Sequence, residues 1–93
     1  MNGNIFLSII IPAYNEADNI KNTLFEIHDY IKSKAFDCEL IVVDDGSSDG
    51  TYELALSNSA LFTNFKVLKN DGNKGKGYSV KRGIITRSVS AAA

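Results

Sequence analysis

The chain has 93 residues, of which 44% are hydrophobic and 23% are charged, with a net charge of −1. This length supplies one hydrophobic core at most, and the composition excludes wholesale disorder. No apolar run approaches the roughly 20 residues of a membrane-spanning helix, and no segment has the pattern of a signal peptide. The single cysteine, Cys38, excludes an internal disulfide, and one histidine excludes a His-rich metal site. We therefore expect a cytoplasmic protein.

Charge is distributed unevenly along the sequence. Residues 1–65 carry a net charge of −7, whereas residues 66–93 carry seven basic residues, one acid and a net charge of +6. A basic segment of this kind suits phosphates or an acidic partner, although a solvated face has the same composition. It lacks the interleaved aromatic residues that stack on bases, so nucleic acid is not expected as a partner.

The first half of the sequence predicts a strand, a helix and a second strand. The apolar, β-branched run 5–11 is typical of a buried parallel strand, and Pro12 ends it. Between residues 16 and 34 the apolar positions recur at helical spacing, and Asn15 is the predicted N-cap. A second buried strand is predicted over residues 39–43, before the loop DDGSSDG.

The second half continues this alternation. A helix is predicted from near Asp49, a short strand over 65–68, a glycine- and lysine-rich loop over 72–77, and then a third helix in which Gly83 is unfavourable. The order predicts an α/β protein, a Rossmann-like βαβαβα unit with a parallel three-stranded sheet. Residues 88–93 (SVSAAA) show no strand or turn pattern, and we expect a non-native or disordered tail there.

Two polar loops follow the first two predicted strands, PAYNE at residues 12–16 and DDGSSD at residues 44–49. In open α/β sheets, ligands bind beyond the carboxyl ends of the strands. Because adjacent side chains of an extended chain point in opposite directions, one of Asp44 and Asp45 would face a ligand while the other braces or caps the loop. Turn formation explains the same composition equally well.

The glycine-rich loop matches no standard phosphate motif. Gly72 and Gly77 have the spacing of a P-loop, but Tyr78 stands where that motif requires lysine. Val80 occupies the third glycine position of a dinucleotide fingerprint, which is therefore also excluded. What remains is a basic loop before a helix N-terminus, which is compatible with a phosphate. The sequence has no Asp-x-Asp pair and no Ser/His/Asp set, so we assign it no catalytic residue and no metal ligand.

Three strings carry a resemblance to a known family. SIIIPAYNEADNI at residues 8–20 and ELIVVDDGSSDGT at residues 39–51 resemble the N-terminal signature of family-two glycosyltransferases, which are inverting enzymes with the GT-A fold. GNKGKGYSVKRGI at residues 72–84 is similar to the subgroup that glycosylates dolichyl or other polyprenyl phosphates. The resemblance implies transfer of a hexose from a nucleoside diphosphate sugar, with UDP or GDP, in cell wall or glycan biosynthesis.

The resemblance also implies a nucleotide-binding site. Its residues would be Pro12, Ala13, Tyr14, Glu16, Val43, Asp45 and Lys76. The family uses Mg²⁺ or Mn²⁺ held by an Asp-x-Asp pair after a fourth strand, and this sequence contains neither. We therefore expect residues 1–87 to be the nucleotide-binding N-terminal half of a truncated glycosyltransferase domain, inactive alone. Membrane contact is expected only through the lipid acceptor or missing C-terminal parts.

A second hypothesis is a non-catalytic nucleotide-binding or receiver-like α/β module. Receivers place an acid pair after the first strand and a phospho-accepting aspartate after the third. Here the pair follows the second strand, and Asp71 comes two or three residues late, which favours the glycosyltransferase. In the GT-A strand order, truncation would leave the first strand with an unpaired edge at residues 8–11, and we expect self-association through it.

Overall fold

The computed structural model describes residues 6–34 and 37–87. Its elements are β1 (Phe6–Ala13), α1 (Ile20–Lys34), β2 (Asp37–Asp44), α2 (Thr51–Ser57), a short 3₁₀ helix (Ser59–Leu61), β3 (Phe65–Lys69) and α3 (Lys76–Thr86). The predicted strand–helix alternation is confirmed, and the 3₁₀ helix is an addition to it. The expected tail at 88–93 lies outside the described residues. No helix in the described ranges is long and apolar enough to cross a membrane.

The three strands form one parallel sheet in the order β1–β2–β3. The pairs between β1 and β2 run from Phe6 with Asp37 to Ala13 with Asp44, so the two strands are paired along their whole lengths. The prediction that Pro12 ends the first strand is wrong, since β1 continues to Ala13. Within the described residues β1 is an edge strand, where a proline is tolerated because its missing N–H can face away from the sheet.

The main hydrophobic core lies between one face of the sheet and the helices α1 and α2. Leu40 and Val42 of β2 pack there against Ile20 and Leu24 of α1 and Ala55 of α2, and all five side chains are buried. The alternate residues of β2 lie on the other face, over which α3 packs. This arrangement brings the ends of β1 and β2 and the start of α3 to the same edge.

The start of α1 differs from the prediction. The helix begins at Ile20 rather than at Glu16, and the segment between them is a turn in which the carbonyl of Glu16 accepts a hydrogen bond from the N–H of Ile20 at 2.7 Å. Asn15 is not the N-cap, because its side-chain oxygen accepts a hydrogen bond from the N–H of Ser48 at 3.0 Å. The remaining predicted boundaries agree with the structure to within two residues.

Gly83 allows α3 to approach β1 closely. A Cβ atom at this position would overlap with Cγ2 of Ile10, whose β-branched side chain has little freedom to move. Helix propensity alone would make Gly83→Ala stabilising by about 1 kcal/mol. We expect the overlap to dominate, so that the variant lowers the free energy of unfolding by about 1–3 kcal/mol in urea denaturation followed by circular dichroism.

The matched control for this prediction is Gly77→Ala. Gly77 lies on the same helix, but a Cβ atom there meets nothing within 4 Å. We expect this variant to unfold at the same or a higher urea concentration than the unchanged chain. Equal stability of the Gly83→Ala and Gly77→Ala variants would contradict the close packing of α3 on β1.

Candidate functional site

A cavity of about 340 Å³ opens at the carboxyl ends of β1 and β2, beside the N-terminus of α3. Its volume is in the range of small-molecule sites, and its position is the one at which open α/β sheets bind ligands. Three segments of the chain meet there, and the lining residues are Pro12, Ala13, Tyr14, Glu16, Asp45, Asn73, Gly75, Lys76 and Ser79.

Six of the seven residues implied by the sequence line this cavity. The exception is Val43, which is fully buried within β2 and does not line the cavity. Conversely, Asn73, Gly75 and Ser79 line the cavity and were not predicted. The signal that could have found them is the position of the glycine-rich loop directly after the third strand, at the same edge of the sheet as the other two loops.

Asp45 is anchored by the glycine-rich loop. Its Oδ1 accepts hydrogen bonds from the side-chain amide of Asn70 at 2.8 Å and from the N–H of Lys74 at 2.7 Å, and its Oδ2 accepts one from the N–H of Gly75 at 2.9 Å. The N–H of Lys74 contributes most to holding the pKa of the Asp45 carboxyl below its usual value, although burial opposes this. An ionised Asp45 therefore fixes the loop against the cavity.

Asp44 points away from Asp45, as the alternation of an extended chain requires. Its side chain is fully buried, and its Oδ2 accepts a hydrogen bond from the N–H of Ser47 at 3.1 Å. Its backbone carbonyl accepts another from the N–H of Asn70 at 2.7 Å. Asp44 therefore supports the turn after β2, while Asp45 lines the cavity. The sequence predicted bracing by one acid and ligand contact by the other, but the structure shows that both acids brace loops.

The loops after β1 and β2 are joined by four hydrogen bonds between backbone N–H groups and side chains. Asn15 adopts a left-handed conformation (φ 51°) between them, which asparagine tolerates better than most residues. The bonds run from the N–H of Asn15 to Ser47 Oγ (2.8 Å), of Ser48 to Asn15 Oδ1 (3.0 Å), of Glu16 to Thr51 Oγ1 (2.9 Å), and of Ala17 to Asp49 Oδ2 (3.0 Å). The two loops therefore form one rigid wall of the cavity.

Asp49 connects this wall to α2. Its Oδ1 accepts hydrogen bonds from both the N–H and the hydroxyl of Thr51, the first residue of the helix. The Thr51 hydroxyl contributes most to holding the pKa of the Asp49 carboxyl below its usual value. The sequence predicts the second helix from near Asp49, and the helix begins two residues later, at Thr51.

The cavity combines an apolar wall with groups of both charges. Pro12, Ala13 and the half-exposed Tyr14 form the apolar side, while Lys76 lies at the first turn of α3, where the helix dipole also favours an anion. Across residues 6–34 and 37–87, no three His, Cys, Asp or Glu side chains are placed to hold a metal ion. The cavity lining therefore has the apolar surface and the basic group that a phosphorylated organic ligand requires.

Comparisons with known proteins agree on one family. The family model described as glycosyl transferase family 2 matches residues 8–85. Among curated proteins, the chain is 39% identical to a dolichyl-phosphate beta-glucosyltransferase of Dictyostelium discoideum, over 88% of this chain and 27% of that protein. It is 42% identical to the glycosyltransferase AglE of Haloferax volcanii, over 92% of this chain and 28% of that protein. The chain thus spans about a quarter of the length of these relatives.

A solved structure shares the fold. The mannosyltransferase PcManGT from Pyrobaculum calidifontis, in complex with GDP-Man and Mn²⁺, matches with a TM-score of 0.68 and 27% sequence identity. The match covers 88% of this chain and 24% of that one. The predicted architecture, the N-terminal part of a GT-A fold, is confirmed by this match.

Proposed function

Because the chain belongs to glycosyl transferase family 2, we propose that it is the nucleotide-binding part of an enzyme that transfers a hexose from a nucleoside diphosphate sugar to a polyprenyl phosphate. The observation that carries the proposal is the cavity, which six of the expected nucleotide-binding residues line together. The names of the dolichyl-phosphate relatives support the acceptor class, and the GDP-Man of the structural neighbour supports the donor class. The nucleotide of the donor is UDP or GDP.

In this proposal each side of the cavity has one task. The ring of Tyr14 and the apolar Pro12 and Ala13 form a surface for the base and ribose. Asp45 Oδ2 accepts one hydrogen bond from the protein and retains capacity for a base imide or a ribose hydroxyl. Lys76 and the first N–H groups of α3 face the diphosphate.

The Mn²⁺ of the structural neighbour supports a divalent metal, Mg²⁺ or Mn²⁺, in the family. Among the described residues no three His, Cys, Asp or Glu side chains converge, and no step of the proposal is assigned to a metal held by them. The chain contributes donor recognition. The receiver-like alternative has no supporting observation, because Asp71, the acid after the third strand, does not line the cavity with Asp45.

We expect the 93-residue chain to bind UDP or GDP in isothermal titration calorimetry and to transfer no sugar. Positioned proton transfer contributes about 10²–10⁴-fold to rates, and one electrostatic stabiliser about 10²–10³-fold, so losing both puts turnover below detection. The transfer assay combines the chain with Mg²⁺ or Mn²⁺, several nucleotide sugars and a polyprenyl phosphate, against a heat-denatured control. Failure to bind either nucleotide would overturn the proposed site, and metal-dependent product would contradict the assignment of recognition alone.

We also propose that the chain self-associates through β1. Within the described residues β1 pairs only with β2, so its outer edge presents backbone N–H and C=O groups along residues 8–11, three of which are isoleucines. Dimers or larger species are expected at micromolar concentration in light scattering. A monodisperse monomer between about 1 and 100 μM would argue against this contact.

We assign the reaction to the cytoplasmic face of a membrane, reached through the lipid acceptor. The dolichyl-phosphate relatives support the membrane through their acceptor class, and the free Cys38, which has no disulfide partner in this sequence, supports a reducing compartment. The test is protease treatment of sealed vesicles that carry the membrane-associated protein and have their cytoplasmic face outward. Digestion of this segment without detergent supports the assignment, and protection contradicts it.

A further inference from the structure

Asn70 is buried behind the cavity and forms hydrogen bonds with three other side chains. It follows β3 directly, it is 3% exposed, and it does not line the cavity. Its Nδ2 donates to Asp45 Oδ1 and to Ser79 Oγ, both at 2.8 Å, and its Oδ1 accepts from Nη1 of Arg82 at 2.8 Å. The amide group therefore has partners on both sides, which is the condition under which a buried polar side chain is held in one geometry.

Arg82 fixes the orientation of this amide. Its Nη1 also donates to the carbonyl of Lys69 at 2.8 Å, so the guanidinium is held between the end of β3 and Asn70. A guanidinium can only donate and a carboxylate can only accept. The amide oxygen of Asn70 must therefore face Arg82, and its NH₂ group must face Asp45.

The Asp45 carboxylate is in turn held from two directions. Two of its hydrogen bonds come from the loop that it anchors, at Lys74 and Gly75, and the third comes from Asn70, which lies outside that loop. The bond from Asn70 therefore links the carboxylate, and through it the Lys74–Gly75 backbone, to the end of β3.

We propose that Asn70 and Arg82 are positioning residues of the nucleotide site, which set the rotation of the Asp45 carboxylate and thereby the placement of the Lys74–Gly75 backbone against the ligand. The claim that this placement affects the ligand rests on the proposed function. The claim that Asn70 and Arg82 hold the Lys74–Gly75 backbone in place concerns the protein alone and does not depend on that function.

The Asn70→Asp variant provides the first test. It places a second carboxylate where the amide donated to Asp45, and two like charges at that distance repel. We expect affinity for UDP or GDP to fall at least about tenfold at pH 8. At pH 5 the two carboxyls should share a proton, which restores a donor between them, and affinity should return to within about threefold of the unchanged chain.

Other charged groups face this pair. Arg82 contacts residue 70 from α3, and Glu16 and Lys76 line the same cavity as Asp45. Each affinity is therefore expressed as a ratio to the unchanged chain at the same pH, so that effects of pH common to both proteins cancel. A purely structural defect gives a loss that is the same at both pH values, and that result would overturn the inference.

The second test replaces Arg82 and needs no ligand. Arg82→Met removes the donors while keeping most of the apolar stem, and Lys81→Met is the matched control, on an exposed neighbouring position outside the cavity. We expect amide hydrogen exchange at Lys74 and Gly75 to accelerate at least about threefold in the Arg82→Met variant and to stay unchanged in the Lys81→Met variant.

The two tests separate the possible failures. If the unchanged chain binds neither UDP nor GDP, the proposed function fails, while exchange at Lys74 and Gly75 still tests the positioning role. If the Asn70→Asp variant does not fold, amide hydrogen exchange in the Arg82→Met variant tests the positioning role by itself. Equal exchange rates at Lys74 and Gly75 in the Arg82→Met and Lys81→Met variants overturn the inference, whether or not nucleotide binds.

Discussion

Replacing Asp45 with alanine is expected to weaken the binding of UDP or GDP about tenfold to a hundredfold. The variant removes an acceptor that lines the cavity, and it also removes the anchor of the Lys74–Gly75 backbone. Both effects act in the same direction, since Lys76, the first residue of α3, directly follows the anchored Lys74–Gly75 backbone and faces the proposed diphosphate position. Calorimetric titration of both proteins measures the change, and equal affinities would remove Asp45 from the site.

Two further variants separate charge from geometry. Asp45→Asn keeps the shape of the side chain, but one of its N–H groups must then face a donor, so we expect a loss of affinity similar to that of the alanine variant. Asp71→Asn removes the same charge from an exposed position that does not line the cavity, and its affinity should be unchanged. A comparable loss in the Asp71→Asn variant would show that net charge, not Asp45, controls binding.

The same contacts give Asp45 a role in acid stability. Because the N–H of Lys74 and the other donors lower the pKa of the folded Asp45 carboxyl, the ionised group stabilises the fold above the usual aspartate pKa of about 3.9. That contribution is lost as the pH falls through the lower, folded pKa. The pKa of the Asp49 carboxyl is also lowered, mainly by the hydrogen bond from the Thr51 hydroxyl. The Asp45→Asn variant should therefore lose less stability on acidification below about pH 4 than the unchanged chain does.

The fold could be predicted because its determinants are local. The strands are short β-branched apolar runs, and the helices have clear apolar periodicity, so each element is indicated by its own residues. The start of α1 was missed for the opposite reason. The N–H groups of Glu16 and Ala17 bond to Thr51 and Asp49, more than 30 residues away, and no local pattern signals such a partner.

The site was only partly accessible from the sequence. The family resemblance implied the residues that follow β1 and β2, but it did not indicate that Asp45 is bonded to residues 25 to 30 positions downstream. Those bonds form because β3 lies beside β2 and brings its following loop to the same edge of the sheet. The missed lining residues belong to that loop and to the helix after it, and they are Asn73, Gly75 and Ser79.

Gly46 is the position where this meeting of loops is tightest, and Gly46→Ala is expected to disrupt it. Gly46 has a φ of +78°, and a Cβ atom there would lie 2.6 Å from the carbonyl carbon of Gly72 and 2.9 Å from the backbone nitrogen of Asn73. Both contacts are with backbone, which cannot move without displacing the loop. We expect the free energy of unfolding to fall by about 2–4 kcal/mol, from left-handed strain and overlap together.

Gly50→Ala isolates the overlap from the strain. Gly50 also has a left-handed φ, of +88°, but a Cβ atom there meets nothing within 4 Å, so this variant should lose only about 1–2 kcal/mol. Nucleotide affinity separates the two variants further, because only Gly46→Ala pushes Asn73 and the loop anchored by Asp45 away from their places in the cavity wall. We expect that variant to bind at least about tenfold more weakly than Gly50→Ala. Urea denaturation and calorimetric titration measure both quantities, and equal losses in the two variants would mean that the loops after β2 and β3 do not touch in solution.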